Sequence, residues 1–119
     1  MTEAEINALK EEKKGKDTFT HPDFYAIDDL LTEEHKLVRD SVRSYVKREI
    51  SPIIEACAQN NYFPSHIIKQ LGEVGCFGPQ IPAEYGGGGL DYISYGLAMQ
   101  ELERGDSGIR STASVQGSL

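Results

Sequence analysis

Apolar residues recur every three or four positions along much of this chain, and no stretch reads as a strand, so the pattern predicts helices. The clearest stripe is Val38, Val42, Val46, Ile50, Ile53 and Cys57, one face of a helix opened by Thr32 as cap with Glu33 and Glu34 in the first turn. The stripe crosses Pro52. Proline removes an amide donor and crowds the preceding turn, so the helix must kink there or restart with Ser51 as cap and Pro52 as first residue, ending near Asn60. A shorter helix fits Pro64 to Val74, with Ile67, Ile68 and Leu71 turned inward and Gly75 ending it. Leu90 to Glu103 carries two apolar rows, Tyr92, Tyr95, Met99 and Leu102 beside Ile93 and Leu97, which predicts a helix covered over much of its circumference.

Between these elements the pattern fails in informative ways. Residues 1–22 are polar, with Glu11, Glu12, Lys13 and Lys14 in succession. They hold too little apolar surface to offset the entropy of ordering them, and are expected to form a mobile arm with a helical turn or two. The domain proper spans 23–119, anchored from Phe24, Tyr25, Ile27, Leu30 and Leu31 onward. Residues 76–89 hold Pro79, Pro82 and four successive glycines, too rich in turn formers for a helix or a central strand. At Gly105-Asp106 the chain breaks and a new helix starts, rich in small residues. It reaches Leu119 without the glycine or basic residues that normally end a helix, so the chain is expected to be cut inside an element. The pattern as a whole predicts an all-α domain of about three to five helices without internal repeats.

Composition narrows the partners. Nineteen acidic residues against twelve basic ones give a formal charge of -7, which opposes binding to nucleic acid or an anionic membrane surface. No apolar run could span a membrane or serve as a secretory signal, and the acidic first residues do not resemble a mitochondrial transit peptide. A soluble, cytoplasmic protein is expected, or one of the mitochondrial matrix in a eukaryote. Cys57 and Cys76 stand outside any C-x-x-C spacing, so they read as reduced, packed thiols. His21, His35 and His66 share no ligand spacing and are expected at the surface or the core edge, and no metal site is predicted. Asp28-Asp29 and Glu33-Glu34 are expected to be solvated acids. The glycine run Gly86 to Gly89 is followed by Leu90-Asp91 rather than Lys-Ser or Lys-Thr, so it is not a P-loop. A tight turn before a helix is expected.

One residue resists so plain a reading. After Asp106 the only charged side chain is Arg110, set among Ser107, Gly108, Ile109, Ser111, Thr112, Ala113 and Ser114. A guanidinium does not lose its proton in a protein, so if this helix is buried Arg110 must meet an anion. Glu103 could fold back as a structural partner. Alternatively Arg110, with Ser111 and Ser114 on its side of the helix, could take a carboxylate or phosphate ligand.

The segments Gly75-Cys76-Phe77-Gly78, Ile81-Pro82-Ala83-Glu84-Tyr85-Gly86-Gly87 and Gly89-Leu90-Asp91-Tyr92 resemble the N-terminal helical domain of acyl-CoA dehydrogenases. Glu101 to Leu119 looks more specifically like the glutaryl-CoA dehydrogenase branch. The resemblance covers Phe24 to Leu119 and implies a parent with a helical domain, a middle β-domain and a C-terminal helical domain, forming a homotetramer around FAD. In such a parent the flavin takes a hydride from an acyl-CoA while a glutamate removes the α-proton, and electrons pass to an electron-transferring flavoprotein. The glutaryl branch also decarboxylates, giving crotonyl-CoA. The base and most flavin contacts belong to the later domains, so the resemblance implies no catalytic residue here and no tight FAD binding by these residues alone. It implies instead a substrate-binding set: Arg110 for the distal carboxylate, Glu103 holding Arg110, and Ser111 and Ser114 lining the pocket. Gly105 and Gly117 are smaller than the family's residues at those places, which is expected to loosen local packing. A different acyl-CoA, an oxidase, or a free-standing helical binding module are the competing readings.

Overall fold

The computed structural model describes residues 1–20 and 22–118, and among them every regular element is helical. Six α-helices follow in order: α1 Glu3–Glu12, α2 Glu33–Tyr45, α3 Ile54–Gln59, α4 His66–Glu73, α5 Tyr92–Gly105 and α6 Ser107–Ser118. Short 3-10 turns cover Ile27–Leu30 and Ala83–Tyr85. The all-α expectation holds, with one helix more than its upper bound.

The additional helix is α1, within the segment expected to hold only a turn or two. Thr2 and Glu5 form a reciprocal capping box, Thr2 Oγ1 accepting from the Glu5 amide at 3.2 Å and Glu5 Oε2 from the Thr2 amide at 2.6 Å. Ile6, 4 % exposed, packs with Ile53 and Cys57 in a small second core to which Met1, Leu9 and Tyr62 add cover. Burying one isoleucine is worth about 1.5–3 kcal/mol. Lys10 adds an ion pair to Glu49 at 2.6 Å.

The main core joins α2, α4, α5 and α6 through Val42, Tyr45, Val46, Ile50, Ile67, Leu71, Ala98, Leu102, Ile109 and Ala113. The stripe restarts after Pro52, but not with Ser51 as cap and Pro52 as first residue: α3 opens at Ile54 with no side-chain cap, and Ser51 Oγ donates to Asp17 instead. From Tyr45 the helix loosens into a π-helical turn, Val46–Ile50, closed by Ser51 N–H on the Val46 carbonyl at 2.9 Å, and α3 begins after Ile53. The extra residue in that turn keeps Val46, Ile50 and Ile53 inward across a proline that has no amide to give.

Gly75, at φ +83°, ends the α4 segment as expected. The 76–89 stretch folds back on itself, with the amides of Gly88, Gly89 and Leu90 reaching the carbonyls of Gly78, Ile81 and Pro79. Gly87 permits that approach, because a Cβ there would stand 2.1 Å from the Ile81 carbonyl oxygen. The four glycines therefore serve backbone packing.

α5 starts at Asp91, whose carboxylate caps the Ser94 amide at 2.8 Å. His35 lies 2.7 Å from the same carboxylate through Nε2, while its Nδ1 accepts the Thr32 amide at 3.2 Å, so Nε2 carries the proton and ties the start of α2 to the start of α5. Asp91 is held at about 2, well below the usual carboxylate range, by the His35 and Ser94 contacts. Of the two apolar rows on α5, Met99 and Leu102 are buried, whereas Tyr92 and Ile93 are 80 % and 52 % exposed. Only one side of α5 is therefore covered within these residues. Asp28 departs from the solvated expectation through a 2.6 Å ion pair to Arg39. Cys57 and Cys76 are buried free thiols, and burial pushes Cys76 up to about 11. His35 is buried and His66 half-buried, while His21 and the expected unfinished end at Leu119 lie outside the described residues. No described helix is long and apolar enough to cross a membrane.

Candidate functional site at the α5–α6 corner

The break expected at Gly105-Asp106 is a sharp corner. α5 runs to Gly105, Asp106 turns extended at φ -169° and ψ 132°, and its carboxylate caps the Ile109 amide at 2.9 Å to start α6. Ile109 and Ala113, each 1 % exposed, seat α6 on the core and leave Arg110 at its edge. Gly105 leaves no slack, contrary to the looser packing expected, since a Cβ there would meet Val46 Cγ1 at 2.7 Å. Gly117 is also closely approached, its carbonyl accepting from Gln80 Nε2 at 2.8 Å.

Glu103 leaves the last turn of α5 toward the first turns of α6. Its Oε2 accepts from Arg110 Nε at 2.7 Å, and its Oε1 from the Ser107 hydroxyl. These contacts, Ser107 first and Arg110 second, hold the Glu103 carboxyl below its usual range. Arg110 Nη1 donates to Ser114 Oγ at 3.1 Å, and Ser114 Oγ donates to the Ser111 carbonyl at 3.3 Å. Three of the four sequence-derived site residues thus meet through side chains. Ser111 joins through its carbonyl, and its hydroxyl makes no hydrogen bond to Arg110.

Arg110 is not buried: its side chain is 35 % exposed and that of Glu103 47 %. The demand that burial would have placed on it is therefore relaxed, and an ion pair so open to water is strongly screened. What the pair does is orient. Nε and one Nη1 proton are taken, and Nη2 has no partner among the described residues, so the planar guanidinium stands at the corner with one edge free for an anion.

Sequence reasoning missed a second charged group on the opposite side of the same turn. Glu101 is 1 % exposed and bound by a two-point fork from Arg43, Nε at 3.1 Å and Nη2 at 2.7 Å, with Arg104 Nε at 3.4 Å. The available signal was Glu101 lying three residues after Ala98 and beside Leu102, which places it on the inward side of α5.

Residues 32–119 match the model of the acyl-CoA dehydrogenase N-terminal domain. The chain is 41 % identical over 87 residues to a probable acyl-CoA dehydrogenase, YngJ, of Bacillus subtilis, covering 71 % of this chain and 23 % of that protein. It is 35 % identical over 89 residues to the bovine (Bos taurus) mitochondrial short-chain specific acyl-CoA dehydrogenase, covering 75 % and 22 %. A crystal structure of glutaryl-CoA dehydrogenase from Mycobacterium smegmatis superposes with a TM-score of 0.73 at 45 % identity, over 78 % of this chain and 24 % of that one. A second, in complex with FADH2, gives 0.76 at 39 % identity, over 80 % and 24 %. The chain therefore spans about a quarter of the length of the proteins it matches. It belongs to the acyl-CoA dehydrogenase family and carries that family's N-terminal helical domain.

Proposed function

We propose that this chain is the opening helical domain of a flavin-dependent acyl-CoA dehydrogenase that oxidises, and decarboxylates, glutaryl-CoA to crotonyl-CoA, and that it supplies the distal-carboxylate end of the substrate pocket. The observation that carries the reading is Arg110, held on Glu103 at 2.7 Å and Ser114 at 3.1 Å with Nη2 free of partners among the described residues. A dicarboxylyl thioester brings a charged end into an otherwise apolar pocket, and a preset guanidinium compensates the loss of its water. A charge-assisted contact of this kind contributes about 1.5–3 kcal/mol. An unbranched fatty acyl chain presents nothing for it to bind. The likeness to the two glutaryl-CoA dehydrogenase structures supports the same substrate.

The cofactor proposed for the parent is FAD. An open cavity of about 510 Å³ among the described residues, between α1 and the π-helical turn, is walled by Lys10, Lys14, Asp17, Lys47, Arg48, Glu49 and Pro52 and by none of the Arg110 corner residues, and the flavin site is proposed to lie on the parts of the parent beyond these residues. The work proposed for this chain is binding and orientation, in a homotetramer that passes electrons to an electron-transferring flavoprotein in the cytoplasm or mitochondrial matrix.

The short-chain relatives favour a second reading, a monocarboxylic acyl-CoA, in which Arg110 is a structural partner of Glu103 and nothing more. Replacing Arg110→Gln in the full-length enzyme separates the two. Turnover of glutaryl-CoA is expected to fall at least about tenfold, the lower end of what one charged contact is worth, with butyryl-CoA far less affected. Equal losses for both substrates would remove Arg110 from the carboxylate site.

A further inference from the structure

Residues 17–19, which precede the first core helix, are tied to the end of α5 by a chain of charges that substrate binding does not use. Asp17 Oδ2 accepts from Ser51 Oγ at 2.8 Å and Arg104 Nη1 at 3.2 Å, and its Oδ1 accepts from the Phe19 amide at 3.3 Å. Lys47 Nζ donates to the Phe19 carbonyl at 2.9 Å, and the Arg104 guanidinium lies 5.9 Å from the centre of the Phe19 ring. Burial works against the Asp17 charge, but the contacts from Ser51 and Arg104 outweigh it and hold the carboxyl below its usual range. Beyond Arg104 the chain continues to buried Glu101 and its fork from Arg43.

This arrangement bears on the corner because Arg104 directly follows Glu103 in the last turn of α5. Gly105 lets that turn lie close against Val46, which fixes its distance from the π-helical turn after α2 but not the rotation of its side chains. That rotation is held on the core side by buried Leu102 and on the polar side by the ion pairs of Glu101 and Arg104. Arg104 Nη2 is buried without a partner, so this guanidinium has no alternative acceptor at hand and depends on Asp17 and Glu101.

We propose that Asp17 and Arg104 are positioning residues for the distal-carboxylate site, fixing the turn that carries Glu103 and hence the aim of Arg110. This rests on the dicarboxylyl reading above. Residues 17–19 are then part of substrate selection although they touch no substrate.

The test compares glutaryl-CoA with butyryl-CoA in the full-length enzyme. Asp17→Asn keeps the size and removes the charge. It should lower the glutaryl-to-butyryl ratio of kcat/KM by about fivefold, mainly through KM for glutaryl-CoA, a modest share of what a misplaced contact can cost. Asp17→Glu should recover most of the ratio. If Asp17→Asn fails to accumulate, Ser51→Ala withdraws one of the side-chain donors and carries the same comparison. An unchanged ratio in these variants, while Arg110→Gln collapses it, overturns the positioning role and leaves the dicarboxylyl reading standing. An unchanged ratio in Arg110→Gln itself overturns both.

Discussion

Two arginines flank the α5–α6 corner and differ in what surrounds them. Arg104, 16 % exposed, is enclosed by Asp17, Glu101 and the Phe19 ring. Arg110, 35 % exposed, keeps an edge clear. The first arrangement suits a fixed internal tie and the second suits a ligand, and the distinction depends on surroundings that no residue spacing reveals. Asp91 offers a test at this scale through pH. Its carboxyl titrates at about 2 in the fold against an ordinary value of 3.8, so the stability it contributes is fully present above about 4 and is lost as pH falls through 2. Asp91→Asn should melt below the parent chain at neutral pH, with the gap closing between about pH 4 and 2. A gap that stays constant over that range would mean the His35 and Ser94 contacts do not operate in solution.

Among the elements, the 76–89 loop and α5 predict opposite responses to the same substitution. Gly87→Ala would drive a methyl into the Ile81 carbonyl at 2.1 Å and should cost about 1–3 kcal/mol. Gly96→Ala, inside α5 with nothing within 4 Å of the new carbon, should stabilise by about 0.5–1 kcal/mol. Denaturant midpoints of the two variants provide the check: no loss in Gly87→Ala would contradict the packing of the loop, and a loss in Gly96→Ala would contradict the open face of α5. The helices were legible where their apolar stripe was long: α4 and α5 fell within about two residues of their expected ends, and α2 began at its expected Thr32 cap but gave way at Tyr45, well before Pro52. The corner at Gly105-Asp106 was legible from its own residues. The π-helical turn was not, because an i, i+4 stripe interrupted by proline looks the same whether the helix bends, restarts or gains a residue. Most of α1 escaped because one isoleucine and a capping box are too weak a signal without the Ile53 and Cys57 surface that receives them.

At the scale of the whole molecule, Phe24, Tyr25 and Leu30, expected to anchor the chain to a core, are instead bare; with Tyr85 and Tyr92 they are each at least 77 % exposed, a larger set of bare aromatic and aliphatic side chains than a domain working alone needs. They accord with a domain that docks on others, as the family membership leads one to expect. The family was legible because the loop motif lies within these residues, and the Glu103, Arg110 and Ser114 cluster because its members sit close together in one short run. The ties from Asp17 and Arg43 were hidden because they join positions far apart in sequence. The central claim, that Arg110 binds the free carboxylate of a dicarboxylyl-CoA, is tested most directly by a crystal structure of the full-length enzyme with a non-oxidisable glutaryl-CoA thioether. The prediction is a carboxylate oxygen about 2.7–2.9 Å from the Arg110 guanidinium, with Glu103 still on Nε. A carboxylate bound by another cation or left in solvent, with Arg110 engaged only by Glu103 and Ser114, would contradict it.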